Sequence, residues 1–303
     1  MIQFPKVPGI ERFVDLFLDK IRNEYPLVDE VKVPVFNADF SPQGIQIGQH
    51  ESKLWQFMSV DRKWGFILTE QALCLHTVDY RDFPNFSNRF QKGLEVFLKV
   101  PGLGIDWMTA VGMRYVNLVV TKDDHSLKDY LDSWVLPTEP PRSQLSIIEG
   151  AYIARYKTDI GELRLQSMRN PQYTLPPELQ SPLIVKNGWI QSRPETDFSL
   201  IDIDHSITFS QPASMKTKEV LKHLKELCGI SKDVFTSVDT KFSHAVWRKG
   251  CTFYKLDLLQ HLMQEQLLDL DVFLELHLMA QPNSCFDPKC GSNSELHTLE
   301  LLK

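Results

Sequence analysis

MTAVGMRYVNLVVT, residues Met108–Thr121, is the stretch on which the reading of this chain turns. It is rich in β-branched and apolar residues, and their spacing is that of a strand. Its centre carries Arg114, Tyr115 and Asn117. On a strand, successive side chains point to opposite faces, so Arg114 goes with Val116 and Tyr115 goes with Asn117. The three residues therefore do not share one site. Buried polar groups are normally satisfied inside the fold. The expectation is that Arg114 pairs with a carboxylate and Asn117 closes a strand-edge hydrogen bond. The competing reading of Arg114 is an anion or phosphate clamp.

If Met108–Thr121 is a strand, its neighbours must supply a sheet. Upstream, LWQFMSV (54–60), WGFILT (64–69) and ALCLHTV (72–78) are short β segments separated by turn-length gaps. They form an antiparallel meander. Ile10–Glu24 carries apolar residues at Ile10, Phe13, Val14, Phe17, Leu18 and Ile21, which is a helical stripe. Pro84–Lys99 does the same with Phe86, Phe90, Leu94 and Phe97, with Asp82 placed to cap it. Downstream, 122–143 is polar, contains three prolines and reads as a linker with a short helical turn at 129–134. Ser146–Lys157 and Glu162–Met168 read as a hairpin around Thr158–Gly161. After Pro182–Ile190, Phe198–Phe209 reads as a further strand and Thr217–Val238 as a long helix.

The fold class expected is α+β. Two similar halves, 1–121 and 144–248, each consist of an antiparallel sheet packed with a long helix. A helical C-terminal extension, 249–303, ends in a loose tail. Phe253–Met279 is almost continuously apolar, which suits docking on a partner protein.

Composition narrows the function classes. The net charge of −6 argues against a broad duplex-binding surface. Five cysteines, an odd number and mostly isolated, fit a reduced compartment. The first residues lack a signal pattern, and no apolar run reaches the roughly 18 residues of a membrane span. A soluble, cytoplasmic protein is expected. G-x-G-x-x-G, Walker A and G-x-S-x-G patterns are absent, and no cofactor is expected.

Several segments together carry a family resemblance: Glu24-Tyr25-Pro26 after the first helix, WQFMSVDRKW, DFPNF before the second helix, RYVN, LIDIDH, and ISKDVFTSVDTKFSHAVW. In this order they resemble a sporadically distributed prokaryotic protein family with no assigned activity, over about residues 1–248. The family usually opens with a full strand, whereas only Met1–Phe4 stands here. Its L-H near the closing helix corresponds to Leu227-Cys228. The resemblance implies architecture, and by analogy a defence, immunity or toxin-associated setting.

Candidate chemistry is sparse. Asp202 and Asp204 share a strand face about 7 Å apart, a spacing that suits a divalent metal only if other ligands join them. The simpler reading pairs them with a basic residue on a neighbouring strand, such as Arg155 or Arg164. Cys285, Cys290 and His297 lack the second tight pair of a structural zinc site, and no metal site is assigned. Lys218, Lys222 and Lys225 share a helical face and make a candidate nucleic-acid patch. The expected function is a non-enzymatic interaction, accessory or regulatory subunit, with its partner on the sheet surface or on Phe253–Met279. The alternative is an enzyme or nucleic-acid-processing factor with a cleft around Arg114, Asp202 and Asp204.

Overall fold

The computed structural model describes residues 1–41, 44–122, 125–137, 139, 144–180, 189, 192–247 and 297–301. Phe253–Met279, Cys285, Cys290 and all of Pro182–Ile190 except Trp189 lie outside the described residues. The chain is α+β, built on one sheet whose hydrogen-bonded neighbours are all antiparallel.

In chain order the strands are β1 (Ile2–Gln3), β2 (Leu27–Ser41), β3 (Gly44–Met58), β4 (Trp64–Thr69), β5 (Ala72–Thr77), β6 (Trp107–Val120), β7 (Gly150–Lys157), β8 (Glu162–Arg169), β9 (Phe198–Ser214) and β10 (His297–Leu301). Across the sheet they run β2-β3-β4-β5-β1-β6-β9-β8-β7, and β10 also pairs with β5 and β6. Strands from both expected halves thus belong to a single sheet. The opening stretch, β6, lies near its middle.

The helices are α1 (Val14–Ile21), α2 (Phe83–Leu98), α3 (Leu127–Tyr130), α4 (Pro177–Gln180), α5 (Thr217–Val238) and α6 (Lys241–Trp247). Helices α1, α2 and α5 cover one face. Their buried residues Phe17, Phe86, Phe90, Phe97, Val220, Leu224 and Leu227 join Phe66, Leu68, Leu75, Val111 and Met113 of the sheet in one core. Phe17 meets Phe57 edge-on at 5.2 Å and Phe97 at 5.5 Å, the geometry that ring quadrupoles favour. Helix α2 starts where the sequence places it: Asp82 accepts from the Asn85 N–H at 2.7 Å, with Pro84 in the first turn.

Residues 127–136, inside the stretch read as a linker, pack into the protein. Leu127, Tyr130, Leu131, Val135 and Leu136 are buried against Ile201, Ile203 and Leu165. The opposite face of the sheet has a smaller cover. There, Val116, Leu118, Phe198 and Leu200 meet Leu175, Leu179 of α4 and Trp189.

The largest departure from the sequence reading is the β2–β3 hairpin. The sequence reading starts this strand at Leu54, whereas β3 begins at Gly44 and pairs with β2 along its length. β4 supports only Leu54–Met58. The pairs Lys32↔Lys53 through Ser41↔Gly44 therefore extend past β4 as a two-stranded ribbon about 34 Å long. Val31, Val33 and Val35, and then Ile45 and Ile47, do alternate, but Pro34, Gly44 and Gly48 between them are residues that strand interiors disfavour.

The β7–β8 turn also makes a close approach. A Cβ on Gly161 would sit 2.1 Å from the Ser206 carbonyl oxygen of β9, a backbone atom that cannot step aside. Gly161→Ala is expected to destabilise the fold by roughly 1–3 kcal/mol through overpacking. Urea denaturation measures this, and an unchanged midpoint would show that the turn does not press on β9.

Candidate functional site

The β6–β9 ladder sets Arg114 opposite Asp204 and Val116 opposite Asp202. Arg114 reaches diagonally to Asp202, its Nε donating to Oδ1 at 2.8 Å and its Nη2 to Oδ2 at 2.6 Å. The second Nη2 proton goes to Glu178 Oε1 of α4 at 2.5 Å. Three of the five guanidinium N–H donors are thereby used. Nη1 is buried without a hydrogen-bond partner among the described residues. Arg114 and Asp202 are each 1% exposed, while the Glu178 side chain is 53% exposed.

Burial works against the Arg114 charge. The hydrogen bonds and field of Asp202, and then of Glu178, outweigh it and hold the guanidinium above its ordinary value. The arginine thus sits between strands β6 and β9, under the short helix α4. Asp202 is held by Arg114, not by Arg155 or Arg164. Arg155 instead pairs with Glu162 on the surface. Asp204 is half-buried and stands in the ladder between Arg114 and Arg164.

The same row continues towards β5. Leu301 of β10 is opposite Arg114 on one side and His76 on the other. His76 is fully buried, and among the described residues neither ring nitrogen has a hydrogen-bond partner. Burial pushes its pKa down to about 3, so the ring is neutral.

Tyr115 and Asn117 face the helices. The Tyr115 hydroxyl lies 3.3 Å from Cys228 Sγ and 3.4 Å from Met113 Sδ. Asn117 is buried. His205, also on this face, is fully buried between β9, α5 and the β7–β8 turn. Its Nδ1 lies 3.3 Å from the Leu227 carbonyl oxygen, and its Nε2 lies 3.0 Å from Thr158 Oγ1. The arrangement fits a neutral ring that donates from Nδ1 and accepts at Nε2. Burial lowers its pKa, against the pull of the Leu227 carbonyl and Asp204.

Lys218, Lys222 and Lys225 are all exposed along α5. Among the described residues, no three His, Cys, Asp or Glu side chains gather as metal ligands. No helix there is long and apolar enough to cross a membrane. A surface depression of about 470 Å³ along α2, lined by Glu24, Arg89, Lys92 and Glu95 among others, contains none of the candidate residues.

The sequence places Arg114, Asp202 and Asp204 on strands and His205 on the face opposite the two aspartates, but gives no sign of Glu178 as the second carboxylate on Arg114 or of His76 as a buried ring. Glu178 follows Pro176 and Pro177 in a stretch without periodicity, and His76 lies in an apolar strand where nothing local signals a role. Neither a family model, nor a curated protein, nor a solved structure matches the chain.

Proposed function

We propose that the protein is a non-enzymatic interaction or accessory subunit that docks a partner protein on the β7 end of its sheet. The observation that carries this reading is the surface around β7, which is the last strand of the sheet. Ile153 is 57% exposed, Ile148 just before the strand is 82% exposed, and Trp134 is 41% exposed. The Trp134 ring meets Tyr152 edge-on at 5.6 Å, and the Tyr152 and Tyr156 hydroxyls are hydrogen-bonded. Aromatic anchors beside a strand edge that no other described strand pairs are the combination that strand addition and interface hot spots use.

The enzyme alternative has less support. Among the described residues, the Arg114 guanidinium is buried and already carries two carboxylates, which leaves it little capacity to hold a ligand. The setting in a defence, immunity or toxin-associated locus rests on the family resemblance alone. The reading of two duplicated halves is likewise a proposal. Its support is that α2 and α5 each follow a group of strands and share one core.

The test is affinity purification of the full chain from its native cells, in parallel with Ile153→Lys and Trp134→Ala. A specific partner should be retained by the native protein and reduced at least about tenfold by either change, the scale of a hot-spot loss above 1 kcal/mol. Equal recovery by all three proteins would remove β7 from the interface. A monomer that retains nothing would remove the proposal itself.

A further inference from the structure

We infer that the sheet contains a strand-accepting slot between β5 and β6, and that its occupant is the chain's own segment His297–Leu301. β1 and β10 both run antiparallel to β5 and to β6, so they point the same way along the same two neighbours. β1 fills one end of this path. Met1 exchanges both backbone hydrogen bonds with Gly112, at 2.8 and 2.9 Å, and Ile2 stands opposite Val111 and Leu73. β10 fills the other end, from His297 opposite Leu118 to Leu301 opposite Arg114 and His76. Only the register position of Met113 separates Leu301 from Met1 on β6. One central strand is therefore assembled from two distant pieces of chain.

The slot has a physical logic. β5 and β6 are parallel to one another and flank a space one strand wide, and β1 pairs only the residues at one end of it. The remaining groups of Thr77 and of Arg114–Leu118 face that space, and these residues are largely buried. A buried ladder edge left unpaired is costly, so the five β10 residues that pair with β6 beyond β1 stabilise the middle of the sheet. An extended peptide supplies those bonds through its backbone, with little demand on its sequence. The segment His297–Leu301 has the advantage of belonging to the same chain, which makes its pairing intramolecular. The row beneath its last pairing position also contains Arg114 Nη1 and both His76 nitrogens without partners. Between them, continuity from β5 to β6 rests on two residues of β1 and on β10.

Two measurements on the full chain test this. In hydrogen exchange, slot-facing amides of residues 114–118 should be protected about 100-fold or more, like their alternate neighbours that face β9. Slot-facing amides that exchange like an unstructured chain would overturn the inference. In a second experiment, cysteine pairs are placed at Val116/Leu299 and, separately, at Asn117/Thr298. Adjacent antiparallel pairs alternate between wide and narrow, so one of the two has the closer spacing that suits a disulfide. The expected product is a bridge between strands β6 and β10, located by peptide mapping, in a protein of monomeric mass. A bridge found only between two chains would assign the slot to a second copy, and no bridge in either variant would leave the segment unplaced; each overturns the assignment.

Discussion

Asp202→Ala is expected to destabilise the protein by about 3–5 kcal/mol, because it leaves a buried arginine without its main counter-charge. Arg114 is 1% exposed and spends two of its three hydrogen bonds on Asp202. Glu178 remains, but half-exposed and through a single contact. A loss of this size lowers the melting temperature by on the order of 10 °C in a chain of this length. Glu178→Gln should cost no more than about 1 kcal/mol, since that partner stands at the solvent edge. Arg114→Lys should resemble the Asp202 variant, because an ammonium cannot reproduce the two-pronged contact. The instructive variant is Arg114→Met with Asp202→Leu. Removing both charges together should recover much of the loss, as packed apolar residues often equal or exceed a buried ion pair. Urea denaturation of the set decides this. A single Asp202→Ala variant as stable as the native protein would mean that Arg114 is not held as described. That outcome would also reopen Arg114 as a ligand-binding residue.

Acid lability is the second large effect expected. The His76 ring has a folded pKa of about 3 against an ordinary value of 6.5. Above pH 6.5 the ring is neutral in both states and contributes nothing to pH dependence. Below it, the unfolded chain takes up a proton that the folded chain refuses, so stability falls as pH falls. The slope approaches about 1.4 kcal/mol per pH unit for one such group. His205 acts in the same direction. Between pH 7 and pH 5, His76 alone should remove roughly 2 kcal/mol. This window lies above the range in which carboxylates such as Asp61 and Asp197, both held below their ordinary values in the fold, begin to protonate. His76→Leu should flatten most of the slope. At pH 7 it should be neutral or stabilising, because it removes two buried nitrogens that lack partners. Denaturation midpoints at pH 7, 6 and 5 for both proteins provide the measurement. A native protein equally stable at pH 7 and 5 would contradict it.

Local regularities were legible in the sequence. β4 at Trp64–Thr69 and α5 at Thr217–Val238 match the expected bounds, and β6 and α2 match within one residue at each end. The face parity that separates Arg114 from Tyr115 and Asn117 was legible as well. In each case a repeat of 2 or 3.6 residues in the side-chain pattern reports the backbone directly. The β2–β3 hairpin was not read from the sequence, although Val31, Val33 and Val35 alternate, because Pro34, Gly44 and Gly48 are poor strand-interior residues.

What the sequence determined by itself is therefore the identity of most elements and the side on which each polar residue of the central strand stands. The tertiary structure decided what those residues meet. Arg114 finds Asp202 and Glu178 at separations of 88 and 64 residues along the chain. Strand order placed β6 next to β9 and gave β1 and β10 the same two neighbours, β5 and β6. Local side-chain periodicity reports a residue's own backbone; ion pairs and ladder order depend on which distant segments the fold brings within hydrogen-bonding distance.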